Sequence, residues 1–125
     1  MLSHGAGSFV LGGIDDRIMG QPNWDHLLAK HGPPHLLLAH NPDHFYDAEK
    51  RAIPLTLSGH THGGQIRFAN GPAIIRQSRF CLDEGLYSFS KSLLVVSRGL
   101  GSIVLPLRWG ADAEAVMIEI SPPKR

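Results

Sequence analysis

Pro54-Leu55-Thr56-Leu57-Ser58-Gly59-His60-Thr61-His62-Gly63-Gly64-Gln65 constrains this chain more than any other stretch. Leu55, Thr56 and Leu57 form a short apolar run bounded by Pro54 and Gly59, the pattern of a buried strand. The run leads into a loop of glycines and two imidazoles. Residues two apart point in different directions on a helix, whereas extended or loop backbone can aim both rings at a pair of adjacent metal ions. The glycines remove Cβ atoms and permit positive φ, so the backbone can fold tightly around a site. A single loop histidine is ordinarily just solvated or hydrogen-bonded. Two of them, flanked by glycine at the end of a buried strand, sit where an α/β or sandwich fold places its chemistry.

A similar arrangement occurs upstream. His35-Leu36-Leu37-Leu38-Ala39 reads as a continuous apolar strand, expected to be buried on both faces. It ends in His40-Asn41-Pro42-Asp43, where the residue before proline is pushed out of the α region. His40 therefore stands at a strand end, as His60 and His62 do, either as a metal ligand or as a capped core histidine. Asn41 either orients His40 or simply turns the chain. Pro42-Asp43 opens a helix running to Ala52, with Asp43 as its expected N-cap.

Ahead of these, Met1 to Ser8 reads as a loop or ragged end and Phe9 to Ile14 as a strand. Asp15-Asp16 follows, as a metal site or an Asx-capped turn; the turn is favoured because no other ligand lies nearby in sequence. Gln21 to His31 reads as a short helix with Trp24, Leu27, Leu28 and His31 on one face, ended by Gly32-Pro33-Pro34. The order strand, helix, strand, helix, strand is an α/β pattern. Beyond the histidine loop, Gln65 to Phe68 is expected as an edge strand before a turn at Asn70-Gly71. Gly85 to Phe89 and Ser92 to Ser97 read as paired strands around a turn near Ser90-Lys91. Arg98 to Ser102 is a glycine-rich loop, Ala115 to Ile120 a closing strand, and Ser121 to Arg125 a frayed tail.

Composition narrows the classes. The 125 residues suffice for one domain, and 42% hydrophobic with 18% charged residues is ordinary for a globular chain. A net charge of +1 gives no footprint of a nucleic-acid binder. The single cysteine, Cys81, excludes an intrachain disulfide and a cysteine-based zinc finger, and no Cys-His dyad pattern surrounds it. No run of 18 apolar residues is present, and the N-terminal stretch lacks the pattern of a signal peptide. The expected location is cytoplasmic or peripheral to the membrane.

Three segments together resemble the calcineurin-like metallophosphoesterases. They are Leu37-Leu38-Ala39-His40-Asn41-Pro42-Asp43, Ser58-Gly59-His60-Thr61-His62-Gly63-Gly64-Gln65, and Val96-Ser97-Arg98-Gly99-Leu100-Gly101 through Pro106-Leu107-Arg108. Their order and spacing are similar to a bacterial branch that includes membrane-associated phosphodiesterases and UDP-diacylglucosamine pyrophosphate hydrolases. The resemblance implies a four-layer α/β/β/α sandwich with a binuclear metal centre between loops. It assigns His40 as the isolated metal-ligand histidine and His60 and His62 as the pair of the GHxH motif. His40 and His60 would share one ion and His62 would bind the other. The ions implied are Mn²⁺, Fe, Zn²⁺ or Mg²⁺, between which imidazole ligation does not choose. The substrate class implied is a phosphoester, either a small molecule or lipid-linked.

The same family needs an Asp-x-His pair, a bridging aspartate in GDxxD and an Asn-His pair in GNH[DE], and none of these occurs here. Residues 1–125 therefore look like one partial domain, the C-terminal half of the sandwich. Two ions held roughly 3.5–4 Å apart need a bridging carboxylate as well as neutral imidazoles. Two functional classes follow: a hydrolase of phosphodiester or pyrophosphate bonds in its complete form, impaired here, or a non-catalytic metal-binding or structural remnant. A lipid-surface binding module is a weaker third, suggested by the membrane-associated relatives alone. Arg98 is expected either to contact phosphate or, the stronger reading, to form a structural salt bridge. Half of a sandwich should leave an apolar face bare, so self-association or pairing with a missing N-terminal half is expected.

Overall fold

The computed structural model describes residues 2–4, 7–68 and 71–121. The stretch expected as a ragged end instead forms a short antiparallel pair, β1 (Leu2–His4) with β2 (Gly7–Phe9). The strand expected over Phe9 to Ile14 is divided at Val10, whose N–H donates to His35 Nδ1 at 2.9 Å, and resumes as β3 (Leu11–Ile14).

The body is a mixed α/β arrangement around one five-stranded sheet. Its later strands are β4 (Leu36–Ala39), β5 (Leu55–Ser58), β6 (Gly85–Phe89) and β7 (Ser92–Val96), in the order β3-β4-β5-β7-β6. The first four positions run parallel, and β6 is antiparallel to β7 through the turn at Ser90-Lys91. Parallel neighbours need crossovers, which the helical segments between the strands supply.

Those helices are shorter than the sequence suggests. α1 covers only Trp24–Leu28, capped by Asn23, whose side chain accepts the His26 N–H at 2.8 Å. The segment after β4 begins as a 3-10 turn (Pro42–His44) and continues as α2 (Phe45–Lys50). Its cap is Asn41, whose Oδ1 accepts the Asp43 N–H at 2.8 Å, and not Asp43 as expected. Pro42 occupies the first helical position, where no N–H partner is needed, so the acceptor is the residue before it, two earlier than expected. Asp43 is thereby freed for a tertiary role. Its buried carboxylate accepts Ser78 Oγ–H at 2.5 Å and Arg79 N–H at 3.0 Å, pinning the segment before β6 to α2.

Two more expectations fail. Gln65 to Phe68 makes only isolated bridges, Ile66 with Trp109 and Arg67 with Ala73, and no strand. Ala115 to Ile120 is exposed and pairs with nothing among the described residues; an apolar run becomes a strand only where another edge meets it. The turn expected at Asn70-Gly71 falls partly on residue 70, and the tail from residue 122 onward, so both lie outside the described residues.

Side-chain alternation along the sheet separates two faces. One carries Leu37, Ala39, Thr56, Leu94 and Val96, all buried beneath Ala48, Ile53, Phe45 and Leu82. The other carries Leu11, Leu38, Leu57, Leu93, Val95 and Leu86. On it Leu38 is 47% exposed and Leu86 68% exposed. Burial of β4 on both faces therefore holds only at its start, where Leu36 and Leu37 are both buried, and is lost at Leu38. No helix is long and apolar enough to cross a membrane among the described residues.

Candidate metal centre at the carboxyl ends of the strands

Four parallel strands deliver their C-terminal ends to one edge of the sheet, the edge at which open α/β sheets gather ligands. Asp15 and Asp16 follow β3, His40 follows β4, His60 and His62 follow β5, and Ser97 and Arg98 follow β7. Two backbone bonds extend the ladder past the strands and fix the loops to one another. Gly59 N–H donates to His40 O at 3.1 Å, and Ser97 N–H donates to Ser58 O at 2.9 Å.

His40 and His60 converge. His60 Nδ1 lies 3.1 Å from His40 Nε2, with ring centroids 4.9 Å apart and nearly perpendicular planes. Without an ion, one of those nitrogens holds the proton shared in this contact. Two nitrogens each about 2.1 Å from a common ion stand roughly 3.0 Å apart at a right angle and roughly 3.4 Å apart at a tetrahedral one. The pair thus fits a single shared cation once the proton moves to another ring nitrogen. Burial, and then the neighbouring His40, hold His60 below the ordinary imidazole pKa of 6.5. The neutral ligand form is thereby favoured.

His62 is oriented separately. Its Nδ1 lies 3.1 Å from Gly101 O. A carbonyl oxygen only accepts, so Nδ1 carries the hydrogen, and in the neutral ring Nε2 then keeps its lone pair. The loop holding both rings is strained: His60 (φ 70°), His62 (φ 52°) and Gln65 (φ 54°) all occupy the left-handed region without being glycine. Gly63 and Gly64 also have positive φ, and a Cβ at Gly64 would sit 2.1 Å from that of Ala73. Gln65 clamps the following loop, accepting Ile103 N–H at 2.7 Å and donating to Ile103 O and Leu105 O at 3.0 and 3.2 Å.

Asp16 is the residue that sequence reasoning undervalued. Its Oδ1 does cap a turn, accepting Ile18 N–H and Met19 N–H at 2.8 and 2.7 Å, as expected. Its Oδ2 is buried and has no hydrogen-bond partner among the described residues. The Met19 N–H is the main cause holding this carboxyl below its ordinary pKa, and His40 and His60 add to it. The signal in the sequence was positional, since Asp15-Asp16 follows its strand as His40 follows β4. Arg98 takes the structural role: it pairs with Glu114 at 2.7 Å and with Glu84 at 3.5 Å. Cys81 is a free, exposed thiol.

No group of three or more His, Cys, Asp or Glu side chains among the described residues is close enough to hold one metal ion together. The donor set fits one ion held by two imidazoles, with an orphan carboxylate oxygen whose field reaches them. It does not by itself fit a closed two-ion centre.

The chain is 34% identical over 110 residues to the "Uncharacterized metallophosphoesterase YkuE" of Bacillus subtilis (strain 168), covering 86% of this chain and 38% of that protein. It is 34% identical over 77 residues to the "Uncharacterized protein YpbG" of the same organism, covering 61% of this chain and 27% of that protein. The chain therefore spans well under half the length of these curated relatives. No family model and no solved structure matches it.

Proposed function

We propose that this chain is the histidine-bearing part of a metal-dependent phosphoesterase. In its complete form the protein would cleave phosphodiester or pyrophosphate bonds within a four-layer sandwich. The observation that carries the proposal is the convergence of His40 and His60 from two different strands to a 3.1 Å nitrogen separation. Similarity to a protein named a metallophosphoesterase supports the same chemistry.

In this reading His40 and His60 hold one divalent ion and His62 offers its Nε2 to a second. Bound ions of this kind polarise the phosphoryl oxygen and lower the pKa of water. The chain's own residues supply three imidazoles and a strained loop that aims two of them, with Arg98 and Glu84 packed against its Gly63. They do not supply a bridging carboxylate. A depression of ≈ 440 Å³, lined by Leu38, Leu57, Ser58, Gly59 and His40, runs along the bare sheet face to His40. A second layer packed there would meet the centre and could bring the missing carboxylates. The lack of three grouped ligands among the described residues favours an impaired centre in this chain alone.

The test is titration of the ¹⁵N-labelled chain with Zn²⁺, read on the imidazole nitrogens. His40 and His60 signals should move together, and His60→Ala should abolish the shift at His40. Independent responses, or none, overturn the shared-ion reading. With Mn²⁺ and bis-p-nitrophenyl phosphate the chain alone should turn over slowly or not at all. Robust, metal-dependent turnover that is lost in His60→Ala would overturn the impairment.

A further inference from the structure

We infer that Arg108, which lies 46 residues beyond His62, is a positioning residue that fixes the tautomer of His62 and so decides which imidazole nitrogen is left to bind a ligand. The guanidinium makes no carboxylate contact among the described residues. All of its described hydrogen bonds go to main-chain carbonyls. Nε donates to Ala111 O at 2.6 Å, and Nη1 donates to Gly101 O and, at 3.3 Å, to Arg98 O. Nη2 donates to His62 O at 3.1 Å and to Arg98 O and Asp112 O at 3.3 Å each. One planar fork thus ties the residues after β7 (Arg98 and Gly101), the histidine loop (His62) and the segment that follows Arg108 itself (Ala111 and Asp112).

Two of these bonds bear on the His62 ring. Gly101 O accepts from Arg108 and from His62 Nδ1 together, using both of its lone pairs. Arg108 also holds the His62 carbonyl, so the ring's own backbone and the acceptor it points to are fixed by one rigid group. An amine cannot copy this, because lysine offers a point charge where the guanidinium offers five donors in a plane. Loss of the fork releases Gly101 O, and His62 then has no fixed partner to keep hydrogen on Nδ1. Partners beyond the ligating atoms typically change metal affinity about 10–100-fold.

This inference rests on the metal reading for its purpose but not for its geometry, and the experiment separates the two. Long-range ¹H–¹⁵N correlation of the imidazoles in the metal-free full chain, at about pH 8.5 where ordinary histidine is neutral, reads the tautomer directly. His62 should be the Nδ1–H form in the parent protein and a mixture of both forms in Arg108→Gln. The His40 and His60 signals should be unchanged. Arg108→Lys, which offers an amine in place of the planar fork, should likewise give a mixture of both forms. Ser92→Ala, which removes a buried hydroxyl bond to Ile53 O at the opposite end of the sheet, controls for general destabilisation and should leave the tautomer unchanged. An Nε2–H tautomer in the parent protein overturns the inference without any variant, as does an unchanged His62 tautomer in Arg108→Gln. If the tautomer responds but Zn²⁺ moves no imidazole of the parent protein, the positioning role stands and the metal reading falls.

Discussion

The two faces of the five-stranded sheet are built from the same residue types and meet opposite surroundings. Leu37 and Leu38 are adjacent in β4; the first is fully buried and the second is 47% exposed. Leu94 and Leu93 repeat the contrast in β7, at 0% and 41%. On the buried side, α2 and the residues around it supply Phe45, Ala48 and Ile53 as a covering layer. On the other side Leu11, Leu38, Leu86 and Leu93, one from each of four strands, stay exposed, although Leu36 at the start of β4 is buried. Strands without polar alternation are the mark of a sheet meant to be covered twice. That composition agrees with the proposal of a second layer, which the described residues do not provide, and His40 stands at the rim of this face.

The largest effect should come from truncating the covered face. Leu94→Ala is expected to cost about 2–5 kcal/mol, because the cavity is enclosed on all sides. Leu38→Ala, on the bare face, should cost less, about 1 kcal/mol, since about half of the side chain is already wet. Urea unfolding of the two variants measures the contrast. A comparable loss in Leu38→Ala would mean that the bare face is covered in solution, by a second copy or by another polypeptide.

Association tests the same point directly. Sedimentation of the parent chain should show concentration-dependent assembly, and the dye ANS should bind. The double variant Leu38→Lys/Leu93→Lys should sediment as a monomer with weaker ANS binding. A parent chain that is monodisperse, cooperative and ANS-silent would show that the one-layered sheet is self-sufficient.

A smaller, opposite effect is expected inside the covered face. Thr56 is fully buried and its Oγ1 has no hydrogen-bond partner among the described residues. Thr56→Val removes an unpaired hydroxyl at nearly constant shape and should stabilise by about 1 kcal/mol. Destabilisation in the same unfolding experiment would point to a partner for that hydroxyl, such as an ordered water.

The smallest effect is a pH dependence. His44 is held below 6.5 first by burial and then by Arg17, and His60 first by burial and then by His40. Both therefore protonate in the unfolded chain at a higher pH than in the folded one. Stability from these groups is complete above 6.5 and declines as pH falls through that value, until the lower folded values are reached. His44→Phe should flatten the decline between about pH 7 and 5, measured by denaturant midpoints. An unchanged slope would remove His44 from the account.

Strand cores and the histidine loop were legible in the sequence because both are local. Leu36–Ala39, Leu55–Ser58 and the Gly85–Phe89/Ser92–Val96 hairpin announce themselves by short apolar runs and turn residues. The α/β order then places His40, His60 and His62 at strand ends. Where a strand needs a distant edge, local pattern was not enough. Ala115 to Ile120 has the composition of a strand and no neighbour, while Leu2–His4 has one and pairs. The N-cap assignment missed by two residues because proline displaced the acceptor from Asp43 to Asn41.

By itself the sequence determined which residues could do chemistry here: imidazoles at strand ends, two of them on a glycine-rich loop. Only the tertiary structure decided how they act together. It set the 3.1 Å approach of His60 to His40, across 20 residues of chain. It turned one oxygen of Asp16 to a turn and left the other buried, with no hydrogen-bond partner among the described residues. It also brought Arg108 to the carbonyl that orients His62. The physical reason is one of range. Propensity and apolar periodicity act over a few residues, whereas hydrogen-bond geometry between loops depends on strand order and register, which long-range packing alone fixes.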